Sequence, residues 1–189
     1  MKFEQLFPTI MGYDYNVDLA RSVLDIAKDY LSKEEILFKG CPYKTTFDYT
    51  LNDNVDERLK PFCDYIRDGV RFYMSETGHR TPINMNIDIF FNEMYQSDYH
   101  EKHSHPNSKI SGIFYLDVPE GSSPISFSDP RPFRTFVDLM PADRMKDNSK
   151  FFIPPSNGLC LFYNSWLEHT VPGGSNTLPR YSAPFNVRF

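Results

Sequence analysis

From residue 84 to residue 189 the chain is cut into short apolar runs by Pro, Gly, Asn and Ser, and no run is longer than one strand. "NMNIDIFFNEMY" alternates apolar and polar residues, as a half-buried strand does. "SKISGIFYLDV" is a second strand that ends in a Pro-Glu-Gly-Ser-Ser turn. "ISFSD", "KFFIPP", "GLCLFYN", "EHTV" and "RYSAPFNVRF" follow at short intervals. Outside residues 131–150 there is no room between them for crossover helices, which disfavours a parallel α/β sheet. Neighbouring short strands must pair antiparallel.

The segment before residue 84 has the other period. Asn16 is placed to cap "VDLARSVLDIAKDYLSKEE", where Leu19, Val23, Ile26 and Tyr30 recur at helical spacing. In "DERLKPFCDYIRDGVRFYMSETG" the residues Leu59, Cys63, Ile66, Val70 and Tyr73 make one face. Pro61 suits the first turn of that helix and Gly78 its end. Two amphipathic helices ahead of many short strands predict an α+β fold, with helices packed on one side of a double-sheet antiparallel roll. Residues 1–189 are read as one domain, with 1–80 mainly helical support, 84–189 the roll, and 131–150 a long insertion or lid.

Composition narrows the setting. Aromatic residues make up 16% of the chain, which suits a β-rich interior. The net charge of −5 is spread without blocks, so a nucleic-acid backbone is an unfavoured partner. Cys41, Cys63 and Cys160 are far apart and odd in number, which predicts reduced thiols rather than a disulfide framework. The start, "MKFEQLFPTIMGYDYN", has no apolar leader core, and no run of about 18 apolar residues offers a membrane span. The expected setting is a reducing, cytoplasmic compartment where ferrous iron is available.

Three of the five histidines fall in "HEKHSH", residues 100–105. The fragment reads either as a solvated loop or as one arm of a metal site. On an extended strand His103 and His105 point to the same side, so both could face one ion. A third imidazole would come from His79 or His169, and His169 follows an apolar strand late in the roll. His100 reads as a loop histidine. Trp166 reads as a pocket wall or as buried packing. Asn107, Ser108 and Ser111 read as shaping the turn and the strand.

Taken in order, "HSHPNSKISGIFYLD", "SFSDPR", "NSWLEHTV" and "RYSAPFN" resemble the Fe(II)- and 2-oxoglutarate-dependent oxygenases, and most of all the small bacterial and phage members. In the metal strands the chain is also similar to prolyl hydroxylases. The resemblance covers residues 84–189 and implies a double-stranded β-helix, the jelly-roll of the cupins. It places the first metal histidine on His103 and the distal one on His169. It places the arginine that pairs with the far carboxylate of 2-oxoglutarate on Arg180. Ser182 and the strand tyrosine Tyr115 become further contacts to that carboxylate. His103, His169 and Arg180 are then the catalytic set, with Fe(II) and 2-oxoglutarate as cofactors and ascorbate as an auxiliary reductant. Such an enzyme uses dioxygen, releases succinate and carbon dioxide, and hydroxylates a peptide residue, prolyl included, or a small molecule.

The chain departs from the family pattern at one ligand. His-x-Asp or His-x-Glu is usual, and here His105 fills the carboxylate slot. His105 ligates, or water takes the position, or Asp98, Glu101 or Asp129 reaches in. Two other classes remain in play. A three-histidine dioxygenase or isomerase of the cupin type would use no 2-oxoglutarate and give Arg180 no task. A non-catalytic jelly-roll would bind no metal.

Overall fold

The computed structural model describes residues 8–131 and 149–189. Its helices are α1 (Val17–Leu31) and α2 (Lys60–Glu76). The strands ahead of the roll are β1 (Met11–Tyr15) and β2 (Lys44–Thr45). The roll contains β3 (Asn86–Ile89), β4 (Asn92–Met94), β5 (His100–His103), β6 (Ile110–Asp117) and β7 (Ile125–Ser128). It continues with β8 (Lys150–Ile153), β9 (Leu159–Asn164), β10 (His169–Val171) and β11 (Arg180–Arg188).

Among the described residues the strands form two antiparallel sheets. The larger runs β1-β9-β6-β11-β4-β2, with β3 pairing the far half of β11, and the smaller runs β5-β10-β7-β8. From β4 onward the chain passes back and forth between the sheets, which winds it into a double-stranded β-helix. The jelly-roll with supporting helices expected from the sequence is therefore the observed fold.

Strand alternation divides the interior into two layers. On β6, Ile110, Phe114 and Leu116 face the helices, while Ile113 and Tyr115 face the smaller sheet. On β9, Cys160 and Phe162 face the helices, and Leu161 and Tyr163 face inward. α1 supplies Ala20, Val23, Ile26 and Tyr30 to the first layer, and α2 supplies Phe62, Cys63, Ile66 and Val70. Each fully buried side chain such as Phe62 contributes about 2 kcal/mol by leaving water. Gly112 sits in mid-strand because a Cβ there would overlap the Leu161 carbonyl oxygen and the Phe185 ring. Helix ends follow the sequence: the Asn16 side chain accepts from Leu19 N–H at 3.0 Å, and Gly78 takes a φ of +73° after α2.

One strand is unanticipated and two expectations are corrected. β1 pairs β9 along its whole length, although its five residues gave no strand signal against the helical background. "NMNIDIFFNEMY" is two strands rather than one, because β11 pairs with β4 over Arg180–Ser182 and with β3 over Phe185–Arg188. Trp166 is 54% exposed in the turn between β9 and β10, where Leu167 N–H bonds the Asn164 carbonyl. Most of the insertion expected at 131–150 lies outside the described residues.

Candidate metal centre and its buried cation

β5 and β10 are adjacent in the smaller sheet, with His103 directly opposite His169. That register brings together imidazoles 66 residues apart. The strand ends at His103, so His105 lies in the following turn rather than on the same strand. The turn is pinned: His105 N–H donates to the Ser165 carbonyl at 2.8 Å, and Ser108 N–H donates to the His105 carbonyl at 3.1 Å. Ser165 is itself tied by its hydroxyl to Ser111, which also bonds Asn186. The result is a group of three, His103, His105 and His169, whose ligand atoms all lie within 4.8 Å of one another.

The geometry orients two of the rings. His103 Nδ1 lies 2.7 Å from the Glu101 carbonyl, and His169 Nδ1 lies 2.9 Å from the Leu167 carbonyl. A carbonyl can only accept, so each Nδ1 carries the proton and each Nε2 keeps its lone pair. The Tyr163 hydroxyl lies 3.3 Å from His169 Nε2. Burial, and then the neighbouring His103, pushes His169 down to about 3. Burial and the other imidazoles push His105 and His100 down to about 4. His103 is lowered by burial against the opposing pull of its bond to Glu101. Neutral imidazoles with free lone pairs are ligands for Fe(II), Ni(II), Cu(II) or Zn(II).

No carboxylate joins this group among the described residues. The Asp129 carboxylate accepts from Arg131 N–H and Nε–H, both at 3.0 Å. The Asp98 carboxylate accepts from Tyr95 N–H at 2.7 Å. Glu101 is exposed and contributes its carbonyl instead. His79 is exposed, in the loop after α2. His100 opens β5 rather than lying in a loop, with its ring stacked on His103.

The larger sheet contributes a cation. Arg180 opens β11 and is 3% exposed. Its NH1 donates to the Ser123 carbonyl at 3.0 Å and its NH2 to Met94 Sδ at 2.9 Å. No carboxylate pairs with it among the described residues, and its Nε–H is buried without a partner. Burial lowers its pKa, opposed by the nearby Tyr115 and Tyr43 hydroxyls. Four buried side-chain atoms lack a partner among the described residues: Arg180 Nε, Ser182 Oγ, Tyr115 Oη and Ser126 Oγ. Three of these converge. Ser182 and Tyr115 are register partners on β11 and β6, and the guanidinium carbon of Arg180 lies 5.8 Å from the Tyr115 ring centre. Ser126 faces the other side of its strand from Phe127. Burial, eased by Arg180, holds Tyr115 up at about 12, so it remains a donor.

An unpaired buried guanidinium beside two unpaired hydroxyls is costly unless an anion enters. A carboxylate fits that donor set: it accepts from a guanidinium edge and from both hydroxyls. His100, His103, His105, His169, Arg180 and Ser182 line one narrow pocket between the sheets. A larger groove lies along the edge strands β1 and β8 and is lined by Leu167 and by Phe127, whose ring is 5.7 Å from His169. Two of the unsatisfied buried groups, Arg180 and Ser182, line the narrow pocket, and they rather than groove size mark it as the site. Sequence reasoning missed Tyr43, Tyr163, Ser165 and Met94, none of which carries a local signal.

Fold and pocket together define a double-stranded β-helix with a three-histidine group on one sheet and a carboxylate-ready arginine on the other. A family model described as "Putative 2OG-Fe(II) oxygenase" matches residues 88–186, just over half of the chain. The chain belongs to the 2-oxoglutarate- and Fe(II)-dependent oxygenases, whose cofactors are Fe(II) and 2-oxoglutarate. Solved structures share the fold at low identity. A Pseudomonas putida prolyl-4-hydroxylase has a TM-score of 0.66 at 12% identity over 95% of this chain and 92% of its own. The α-ketoglutarate-dependent epimerase SnoN from nogalamycin biosynthesis has a TM-score of 0.68 at 13% identity over 95% and 78%. A Trichoplax adhaerens prolyl hydroxylase, in complex with a peptide fragment of hypoxia inducible factor, has a TM-score of 0.62 at 11% identity over 94% and 82%. No curated protein matches the chain.

Proposed function

We propose that this oxygenase is a hydroxylase in which His103, His105 and His169 hold Fe(II), and Arg180, Ser182 and Tyr115 hold the far carboxylate of 2-oxoglutarate. The observation that carries the reading is the set of three orphaned donors beside the three-histidine group. When bound, the metal and the 2-oxo acid supply oxidative decarboxylation to succinate and carbon dioxide, coupled to oxidation of a substrate C–H bond. The protein's own tasks are narrower. The Glu101 and Leu167 carbonyls fix two imidazoles. The Ser165 carbonyl fixes the turn that carries the third. The guanidinium, held by Ser123 and Met94, offers its remaining edge to the carboxylate.

A residue in a peptide, prolyl included, or a small molecule is the proposed substrate. One structural neighbour is complexed with a peptide, and SnoN comes from the biosynthesis of a small molecule. Ascorbate is the proposed auxiliary reductant. A reducing, cytoplasmic setting is proposed from three free cysteines, two of them buried. The histidine in the carboxylate slot favours a second reading, a three-histidine dioxygenase that needs no 2-oxo acid. That reading leaves the buried Arg180 without a carboxylate partner among the described residues.

The test is anaerobic. Fe(II) is added, then 2-oxoglutarate, and the weak visible charge-transfer band of the chelated 2-oxo acid is sought. The band is expected in the parent and in His105→Asp, and lost in His105→Ala and Arg180→Ala. Metal binding without the band would replace this reading with the second one.

A further inference from the structure

His100 is the one histidine of "HEKHSH" that the three-histidine group leaves without a role. Its ring lies face to face with His103, centroid to centroid 3.9 Å and 11° from parallel. In that geometry the two imidazoles cannot both point lone pairs at one ion. His100 is itself held from three directions. Its Nδ1 shares a hydrogen bond of 2.8 Å with the Tyr43 hydroxyl, from a loop 57 residues earlier. Its carbonyl accepts from Thr170 Oγ1 at 2.7 Å, and Thr170 follows His169 directly. Its backbone pairs with Val171. Tyr43 is 7% exposed and belongs to the intersheet core, so it is a fixed anchor.

His103, by contrast, is only half-buried and sits at a strand end. Its bond to Glu101 sets the tautomer and holds one edge of the ring, so the freedom that remains is rocking about that bond. The flat face of His100 removes this freedom and covers one side of the ring from water.

We infer that His100, clamped by Tyr43, is a positioning residue that holds the His103 imidazole in its metal-binding orientation by face-to-face stacking. This rests on His103 being a metal ligand. Partners that orient a ligand are commonly worth about 10-fold or more in metal affinity. The position needs a planar ring face, which the Tyr43 bond steadies, and no charge or lone pair toward the metal.

The test is Co(II) binding to the metal-free protein, read by titration and by the visible ligand-field spectrum, in the parent and in His100→Ala, His100→Phe and Tyr43→Phe. His100→Ala is expected to weaken Co(II) binding about 10-fold and to alter the bands. His100→Phe, which keeps a ring face, is expected to recover most of the affinity and the parent spectrum. Tyr43→Phe, which loses the same bond and keeps the ring, is expected to match His100→Phe, with unfolding of the metal-free protein nearly unchanged. An alanine variant with parent affinity and spectrum overturns the inference. So does a phenylalanine variant as weak as alanine, since stacking would then be irrelevant. Failure of the parent itself to bind Co(II) would instead bring down the metal assignment of the whole site.

Discussion

At the scale of single residues, the pocket is organised around groups that no other described residue satisfies. Tyr115 is fully buried with an unbonded hydroxyl, and it crosses directly to Ser182. Leaving such a group unpaired costs about 1–3 kcal/mol, while a hydrogen bond to a charged partner returns about 1.5–3 kcal/mol. Tyr115→Phe should therefore act in opposite directions on two measurements. The ligand-free protein should unfold at the same temperature or higher, and the 2-oxoglutarate Kd should rise about 10-fold in a calorimetric titration of the metal-loaded protein. Arg180→Lys keeps the charge and loses the planar fork, so it should weaken 2-oxoglutarate more than Tyr115→Phe does. A lysine variant with the parent Kd would mean that the guanidinium serves only the fold.

At the scale of elements, the helices are joined to each other by a small charged knot. The Asp56 carboxylate, just ahead of α2, accepts from Arg58 backbone and side chain, and from the Tyr30 hydroxyl of α1 at 3.1 Å. Arg58 reaches on to Asp29 of α1 at 2.8 Å. Above all the Arg58 side-chain bond pulls Asp56 down from 3.8 to about 2. A depressed carboxylate stabilises the fold fully above its unfolded value and loses that contribution as pH falls through its folded value. Parent stability should therefore decline between about pH 4 and pH 2 partly through Asp56. Asp56→Asn should be less stable near neutrality and show a shallower decline in that window, measured as urea midpoints against pH. Parallel curves for the two proteins would remove the knot as a determinant of acid stability.

At the scale of the whole molecule, the proposed site spans the two layers. The three histidines belong to the smaller sheet and its edge turn, while Arg180, Ser182 and Tyr115 belong to the larger. Ligands that bind only the folded state stabilise it by about 2.7 kcal/mol at 100 times Kd. For a chain of this size that is a rise in Tm of roughly 5–10 °C. Co(II) should give one such rise, and 2-oxoglutarate added anaerobically a second. Arg180→Ala should keep the first and lose the second. If 2-oxoglutarate stabilised Arg180→Ala as much as the parent, its carboxylate would be held elsewhere.

Much of this was written in local pattern. The period of 3.6 in Val23, Ile26 and Tyr30, and the period of 2 in β6, β9 and β11, are set by neighbours a few residues apart, and so are the Asn16 cap and the Gly78 stop. Those patterns determined two helices, a run of antiparallel strands and hence the class of fold, and family resemblance pointed to His103, His169 and Arg180. Only the tertiary structure decided which side chains meet. The opposition of His103 and His169 depends on the register of two strands 66 residues apart. The place of His105 depends on a carbonyl in the β9–β10 turn. The stack of His100 on His103 depends on a tyrosine 57 residues upstream. That Arg180 is buried with no carboxylate beside it among the described residues is a property of everything packed around it, and such burial has no local signature. Periodicity is governed by bonds and contacts along the chain, whereas convergence is governed by sheet register and layer packing, which short sequence windows do not contain.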